Sequence, residues 1–128
     1  MRLLLDTHLL IWVAEGSSRL SPAARVLIED TTNVLIFSVA SLWEIAIKRS
    51  LKRPDFRIDS RMLRHGLIAN GYEELTVLGS HAVAVETLPL IHKDPFDRLL
   101  VAQALVEGLT LLTADGLLAR YPGPVRRV

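Results

Sequence analysis

Hydrophobic and polar positions along the chain form blocks that predict strands and helices in alternation. Short runs dominated by apolar residues predict strands at 2–5, 33–38, 73–78 and 109–113, with "PVRRV" at 124–128 as a possible edge strand. Strands that are apolar throughout are typical of a parallel sheet with helices on both faces. We therefore expect a three-layer α/β/α fold with a central, mostly parallel sheet of four to five strands, formed by residues 1–128 as one domain.

Helices are predicted between these strands from their spacing and their start and stop signals. Ser21 and Pro22 form a good helix start, and Asp94 and Pro95 form another, in a helix that Gly108 ends. The remaining predicted helices cover 7–14, 38–52, 58–69, 80–87 and 115–121. The sequence predicts the class of the fold in this way, but the order of the strands is open.

Composition narrows the possible functions. The chain has 128 residues, of which 50% are hydrophobic, and no cysteine. The absence of cysteine excludes disulfides, thiolate metal sites and a cysteine nucleophile. The first apolar stretch, Leu3–Ala14, contains Asp6 and is too short to span a bilayer. We therefore expect a soluble, cytoplasmic protein without a membrane partner.

Four acidic residues stand in mostly apolar surroundings. Asp6 follows the first strand, Glu44 lies on the helix after the second strand, and Asp115 follows the fourth. Asp97 is the only acid on the apolar face of its helix. Asp6 or Asp115 alone is explained equally well as a helix cap. The alternative for Asp97 is an acid favoured by the helix dipole, and the alternative for Glu44 is a partner of Lys48 one turn away.

The combination of these acids is more informative than any one of them. The carboxyl ends of parallel strands meet at one edge of a sheet, where ligands usually bind. Carboxylates that converge there repel one another unless a positive charge joins them. A set of oxygen ligands suits Mg²⁺ or Mn²⁺. The pattern therefore predicts a divalent cation held by the acids at this edge.

The sequence resembles the PIN-domain ribonucleases, and among them the VapC-type toxins of bacterial toxin–antitoxin pairs. The resemblance covers essentially the whole chain and rests on "LLLDTHLLIW", "SVASLWEIAIK" and "HKDPFDRLLVAQALVEGLTLLTAD". Carried over residue by residue, the family's catalytic and metal-binding acids fall on Asp6, Glu44, Asp97 and Asp115. Asp94 is assigned a structural role, because helix capping already explains it.

The resemblance implies a PIN-like fold and an Mg²⁺- or Mn²⁺-dependent endoribonuclease that hydrolyses RNA with a metal-activated water. Asp6 and Asp97 are the first candidates for direct metal ligands, and Glu44 and Asp115 then act through water or with a second metal. Thr7 and Thr113 lie beside acids and are candidates to orient them by hydrogen bonds. A cognate antitoxin and a second copy of the chain are the implied protein partners, the latter also because the helix around Val39–Ile47 is apolar on most sides.

A basic stretch provides a candidate RNA-binding surface. Residues 48–64 contain seven basic residues against Asp55 and Asp59. Phosphates are attracted to such a rim beside an acidic centre, so we predict RNA binding, with tRNA or rRNA as candidate substrates. The predicted RNA-binding residues are Lys48, Arg49, Lys52, Arg53 and Arg57. A solvated helix end is the alternative, and the same stretch or an apolar groove beside it is also a candidate site for the antitoxin.

Some residues and functions stay open at this stage. His8 and His92 flank acidic motifs, but a single histidine is more often a surface or helix-end residue. Trp12 and Trp43 lie on apolar helical faces and are expected in the core rather than stacked on bases. The competing functions are a PIN-like nuclease in RNA processing or acting on DNA, and a non-catalytic domain like a phosphate receiver.

Overall fold

A computed structural model describes all residues from Met1 to Val128. Its five strands form one parallel sheet in the order β3-β2-β1-β4-β5. The strands are β1 (Arg2–Leu5), β2 (Val34–Ser38), β3 (Glu73–Leu75), β4 (Thr110–Thr113) and β5 (Val125–Arg127). The parallel sheet, its five strands and the edge strand near the C-terminus agree with the prediction.

Six α-helices connect the strands. They are α1 (Thr7–Glu15), α2 (Pro22–Glu29), α3 (Val39–Ser50), α4 (Ser60–Ala69), α5 (Gly79–Ala84) and α6 (Pro95–Glu107). Two short 3₁₀ helices follow α5 and β4, at Val85–Thr87 and Leu118–Arg120. No helix is both long and apolar enough to cross a membrane.

The central strand β1 supplies a core to each face of the sheet, because neighbouring side chains of a strand point to opposite faces. Leu3 and Leu5 belong to a cluster with buried residues of α1, α2, α3 and α4. Leu4 belongs to a second cluster, with buried residues of α6. All three leucines are fully buried, which explains why β1 is apolar throughout. The two clusters make the three-layer arrangement that the sequence predicts.

The register of the sheet aligns the ends of its central strands. Leu5, the last residue of β1, pairs with Leu112 of β4, and Leu4 pairs with Ile36 of β2. The residues that follow β1, β2 and β4 therefore emerge along one edge. This edge carries Asp6 after β1, the start of α3 after β2, and the segment to Asp115 after β4.

Several predicted elements are shorter than expected. The third strand covers Glu73–Leu75 rather than 73–78, at an edge where β2 is its only partner. The helix predicted over 80–87 is divided between α5 and the 3₁₀ helix at Val85–Thr87, and the last predicted helix is reduced to Leu118–Arg120. For the third strand, the missing neighbour at the sheet edge limits its length.

Trp43 corrects the prediction that both tryptophans lie in the core. It is 61% exposed on α3 and contacts Phe96 edge-on, with ring centroids 5.3 Å apart. Trp12 is partly buried and packs against the first core cluster, as predicted. α3 buries the face that carries Ala40, Glu44 and Ile45, so Trp43 faces outward.

Candidate active site

Asp6 is a buried carboxylate at the end of β1. One oxygen, Oδ1, accepts a hydrogen bond from the backbone N–H of Leu9 at 2.9 Å and so caps α1. The other, Oδ2, accepts one from the Thr113 hydroxyl at 2.5 Å. Burial raises the pKa of Asp6, although these two hydrogen bonds oppose the rise. Asp6 thus caps a helix and also belongs to the cluster of acids.

Glu44 reaches the same edge from α3 and is 2% exposed. The Thr7 hydroxyl donates to its Oε1 at 2.7 Å, and Lys48 Nζ lies 2.5 Å from its Oε2. Lys48 is also 3.9 Å from Oδ2 of Asp94. The predicted pairing of Glu44 with Lys48 is therefore present, and this lysine is directed at the acids.

Asp97 lies in the first turn of α6 and faces the other acids. Its pKa is raised to about 7, first by burial and then by the negative charges of Asp94, Glu44 and Asp6. His92 opposes this rise. A carboxylate surrounded by three others ionises readily only when a cation is present. Asp97 thus has a pKa that both its burial and three neighbouring carboxylates raise.

Asp115 is the second residue after β4. Its carboxylate is more exposed than those of Asp6, Glu44 and Asp97. Burial opposes its ionisation, but hydrogen bonds from His92 and from the backbone N–H groups of Leu118 and Leu117 outweigh that effect and lower its pKa. The Asp115 backbone N–H donates to the Thr113 hydroxyl at 3.0 Å. Asp115 is therefore ionised and held by the turn after β4.

Asp94 has the capping role that was predicted. Its Oδ1 accepts from the backbone N–H groups of Phe96 and Asp97, at 2.8 and 3.0 Å, at the start of α6. Its charge also contributes to the raised pKa of Asp97. Asp94 therefore lies beside the cluster, while its carboxylate is engaged by the helix end.

His92 contacts two of the acids, which the sequence did not predict. Its Nε2 lies 3.0 Å from Oδ2 of Asp115 and 3.4 Å from Oδ2 of Asp97. Asp115 is 23 positions away along the chain, so no local pattern links the two residues. The only available signal was that His92 directly precedes the "KDPFD" motif, at the edge where ligands bind. His8, in contrast, pairs with Asp55 at 3.5 Å.

The predicted basic residues are divided between two environments. Lys48 points toward Glu44, while Arg49 contacts Asp59 at 3.4 Å. The other three are exposed, in the loop after α3: Lys52, Arg53 and Arg57. With Arg49, they line a shallow cavity of about 310 Å³. Three of the five predicted RNA-binding residues are therefore exposed together in the loop after α3.

The oxygen and nitrogen atoms that these side chains present are compatible with binding of a divalent cation. One ligand atom from each of His92, Asp97 and Asp115 lies within 4.8 Å of the other two. Asp6 and Glu44 are close enough for their charges to raise the pKa of Asp97. Mostly carboxylate oxygens and an excess of negative charge suit Mg²⁺ or Mn²⁺ better than softer metals.

A larger, mainly apolar groove lies apart from the acids, between α1, α2 and α4. It has a volume of about 870 Å³, and nine of its 14 lining residues are hydrophobic. Tyr72 lines this groove, and its hydroxyl is buried without a hydrogen-bond partner. Arg49 and Arg57 lie at the same groove, so it is continuous with the basic loop.

Comparisons with known proteins identify the family. The family model of the PIN domain matches residues 3–124. No match was found among curated protein sequences. Among solved structures, VapBC2 of Rickettsia felis bound to a promoter DNA fragment is similar at 14% identity, with a TM-score of 0.71 and coverage of 100% of this chain and 99% of that one.

Two further structures are similar over nearly their whole length. DNA-bound VapBC from Salmonella typhimurium is 17% identical, with a TM-score of 0.67 and coverage of 99% and 98%. A toxin–antitoxin complex from Klebsiella pneumoniae is 17% identical, with a TM-score of 0.63 and coverage of 97% and 95%. At these identities the structures establish the fold, and the family model establishes the family. The chain belongs to the PIN domain family.

Proposed function

We propose that this protein is an Mg²⁺- or Mn²⁺-dependent endoribonuclease and the toxin of a type II toxin–antitoxin pair. The observation that carries the proposal is the convergence of Asp6, Glu44 and Asp94 on Asp97, whose pKa is raised to about 7, first by burial and then by these negative charges. Folding brings these charges together at a cost, and a bound cation would offset that cost. PIN domains are nucleases, which supports the same conclusion.

Each acid has a role in this proposal. Asp6 and Asp97 would bind the cation directly, and Glu44 and Asp115 would act through water or with a second cation. A cation bound there would supply a water of lowered pKa and would neutralise charge on the leaving oxygen. The protein itself orients the acids, since Thr7 donates to Glu44 and Thr113 donates to Asp6. Hydrogen bonds of this kind fix ligand orientation in metal sites.

RNA is the proposed substrate, and the exposed basic loop after α3 supports it. Lys52, Arg53 and Arg57 would contact phosphates beside the acids, and Arg49 would contribute from the end of α3. Lys48 would contribute mainly by neutralising Glu44, since it already contacts that carboxylate. Single-stranded or looped regions of RNA, such as those of tRNA or rRNA, expose their bases to proteins most readily.

An antitoxin is the proposed protein partner. VapBC complexes are among the similar structures, which supports a partner of this type. The groove between α1, α2 and α4 is the part of this chain best suited to receive an apolar segment of the antitoxin. Arg49 and Arg57 offer that segment positive charge.

We propose that the chain forms a homodimer, because apolar side chains in α3 and directly after it are exposed. Trp43 is 61% exposed, and Leu51, directly after the helix, is 67% exposed. Pairing about a two-fold axis is the commonest way in which proteins bury such residues. Light scattering without antitoxin should give twice the mass of the chain, and Trp43→Glu should shift this mass toward the monomer. A monomeric mass for the wild type would contradict the dimer.

The nuclease is tested by incubating the purified protein with total RNA and, separately, with single-stranded DNA. RNA should be cleaved in the presence of Mg²⁺ or Mn²⁺, and EDTA should stop the reaction. Asp97→Asn should be inactive yet folded, with a melting temperature no lower than that of the wild type. Preferential cleavage of DNA would contradict the proposed substrate, and cleavage by Asp97→Asn would contradict the site.

A further inference from the structure

The roles proposed above leave out His92, although both of its ring nitrogens are engaged. The backbone N–H of Asp94 donates to Nδ1 at 3.1 Å. Because an N–H group is directed at Nδ1, this nitrogen carries the lone pair, and the neutral ring carries its hydrogen on Nε2. Nε2 faces Oδ2 of Asp115 at 3.0 Å and Oδ2 of Asp97 at 3.4 Å. His92 therefore meets these two acids as a hydrogen-bond donor.

The backbone of His92 is fixed by Tyr121 and Arg98. The His92 backbone N–H donates to the Tyr121 hydroxyl oxygen at 2.9 Å, and the same oxygen accepts from Nη1 of Arg98 at 2.9 Å. Arg98 is 9% exposed, and its other donors reach the carbonyls of Pro89 and Val85. A buried guanidinium is stable only when such donors are satisfied, so Arg98 orders the loop that carries His92.

We propose that His92 is a positioning residue of the acidic site, which donates from Nε2 to Asp97 and Asp115 and is not itself a metal ligand. This inference rests on the proposed metal-dependent function and extends it. Coordination through Nε2 would move the ring hydrogen to Nδ1, where it would meet the backbone N–H of Asp94. Through Tyr121, Arg98 sets the position of His92, which in turn sets the separation of the two carboxylates.

Mn²⁺ binding, measured by electron paramagnetic resonance on the full chain, tests this proposal. His92→Ala should weaken Mn²⁺ binding by about 10- to 100-fold, the usual effect of removing a hydrogen bond to a metal ligand. His92→Gln should restore part of the affinity, because its amide N–H reaches toward the position of Nε2. The matched control is His65→Ala, since His65 is exposed on α4, and it should bind Mn²⁺ as the wild type does.

A second variant covers the possibility that His92→Ala fails to fold. Tyr121→Phe keeps the ring and removes only the hydroxyl that holds the His92 backbone. It should weaken Mn²⁺ binding in the same direction but less. Nitrogen hyperfine spectra of the Mn²⁺-loaded wild type should show no directly bonded nitrogen, as expected for a donor that does not coordinate.

The outcomes separate this inference from the proposed function. Wild type that fails to bind Mn²⁺ would overturn both. Wild type that binds Mn²⁺, together with equal affinity in His92→Ala or in Tyr121→Phe, would overturn only the role of His92. A directly bonded nitrogen that disappears in His92→Gln would make His92 a ligand and would also overturn the proposal.

Discussion

The hydroxyl of Thr113 donates a hydrogen bond of 2.5 Å to Oδ2 of Asp6, and so joins the end of β4 to the end of β1. The same hydroxyl oxygen accepts from the backbone N–H of Asp115 at 3.0 Å. Thr113 is fully buried, and 107 positions separate it from Asp6. One side chain thus connects two acids of the site through neighbouring strands.

Thr113→Val should therefore destabilise the protein and weaken the site together. The substitution keeps the shape but leaves the buried Asp6 oxygen without its donor, so the free energy of unfolding should fall by about 1–3 kcal/mol. Urea unfolding and Mn²⁺ titration measure the two effects. Thr110→Val, in the same strand, is the matched control and should change neither. Unchanged stability and affinity in Thr113→Val would show that the Asp6–Thr113 contact contributes nothing.

Glu44 and Lys48 should respond differently to substitution. Glu44→Gln removes a negative charge that the proposed cation needs, so cleavage should be lost. The melting temperature should barely change, because Gln keeps an acceptor for Thr7 and Lys48 keeps Asp94 as an acidic neighbour. Lys48→Met removes the cation beside a nearly inaccessible carboxylate and should cost about 3 kcal/mol of folding free energy. Thermal unfolding and RNA cleavage assays on both variants test this. A full loss of activity in Lys48→Met without any loss of stability would favour a direct role for Lys48.

The raised pKa of Asp97 predicts how metal binding depends on pH. Its value of about 7 means that a proton must leave before a cation binds. Mn²⁺ affinity should therefore fall by about tenfold for each pH unit below 7. Calorimetry in buffers of different ionisation enthalpy should detect the released proton. Affinity that is constant between about pH 5.5 and pH 7 would contradict this protonation state.

The same shift predicts the stability of the metal-free protein. The folded pKa of Asp97 lies above its ordinary value of 3.8, so the protonated side chain favours the folded state. This contribution to the free energy of unfolding is fully present below about pH 4 and is lost as the pH rises through about 7. Asp97→Asn should flatten the fall in melting temperature over this range. Parallel profiles for wild type and Asp97→Asn would contradict the assignment.

The basic loop should govern the salt dependence of RNA binding. Neutralising Lys52, Arg53 and Arg57 together to Gln should weaken binding and reduce the slope of log affinity against log salt by about 2. Mn²⁺ affinity should not change, because these side chains lie outside the acidic cluster. Arg2→Gln is the control, because Arg2 lies at the start of β1, at the opposite end of the strand from Asp6. It should leave the slope unchanged. An unchanged slope in the triple variant would exclude the loop as a phosphate-binding surface.

The sequence predicts best those features that are determined locally. Asp94 and Pro95 start α6 and Gly108 ends it, and all three act through the backbone next to them. The apolar stretches of β1 and β4 predict central strands because both faces of those strands are covered. The convergence of Asp6 and Asp115 follows from the parallel sheet, since both follow neighbouring strands at one edge.

Contacts between distant residues could not be predicted in this way. His92 meets Asp115 across 23 positions of the chain, and the backbone N–H of His92 donates to the Tyr121 hydroxyl, which also accepts from Arg98. The outward position of Trp43 depends on which side of α3 packs against the core, since Ser41 and Glu44 are the only polar residues in Val39–Ile47. The short third strand depends on a missing neighbour at the sheet edge. In each case the packing of residues that are distant in sequence decides between conformations that the local sequence permits equally well.

Mapping the ends of the RNA products tests the central claim most directly. Attack by a water activated at the acids does not use the RNA 2′-hydroxyl as the nucleophile. Wild-type protein incubated with RNA and Mn²⁺ should therefore leave 5′-phosphate and 3′-hydroxyl ends, and Asp97→Asn or added EDTA should leave the RNA intact. Cyclic 2′,3′-phosphate ends, or cleavage that survives chelation, would contradict a metal-dependent hydrolysis by these four acids.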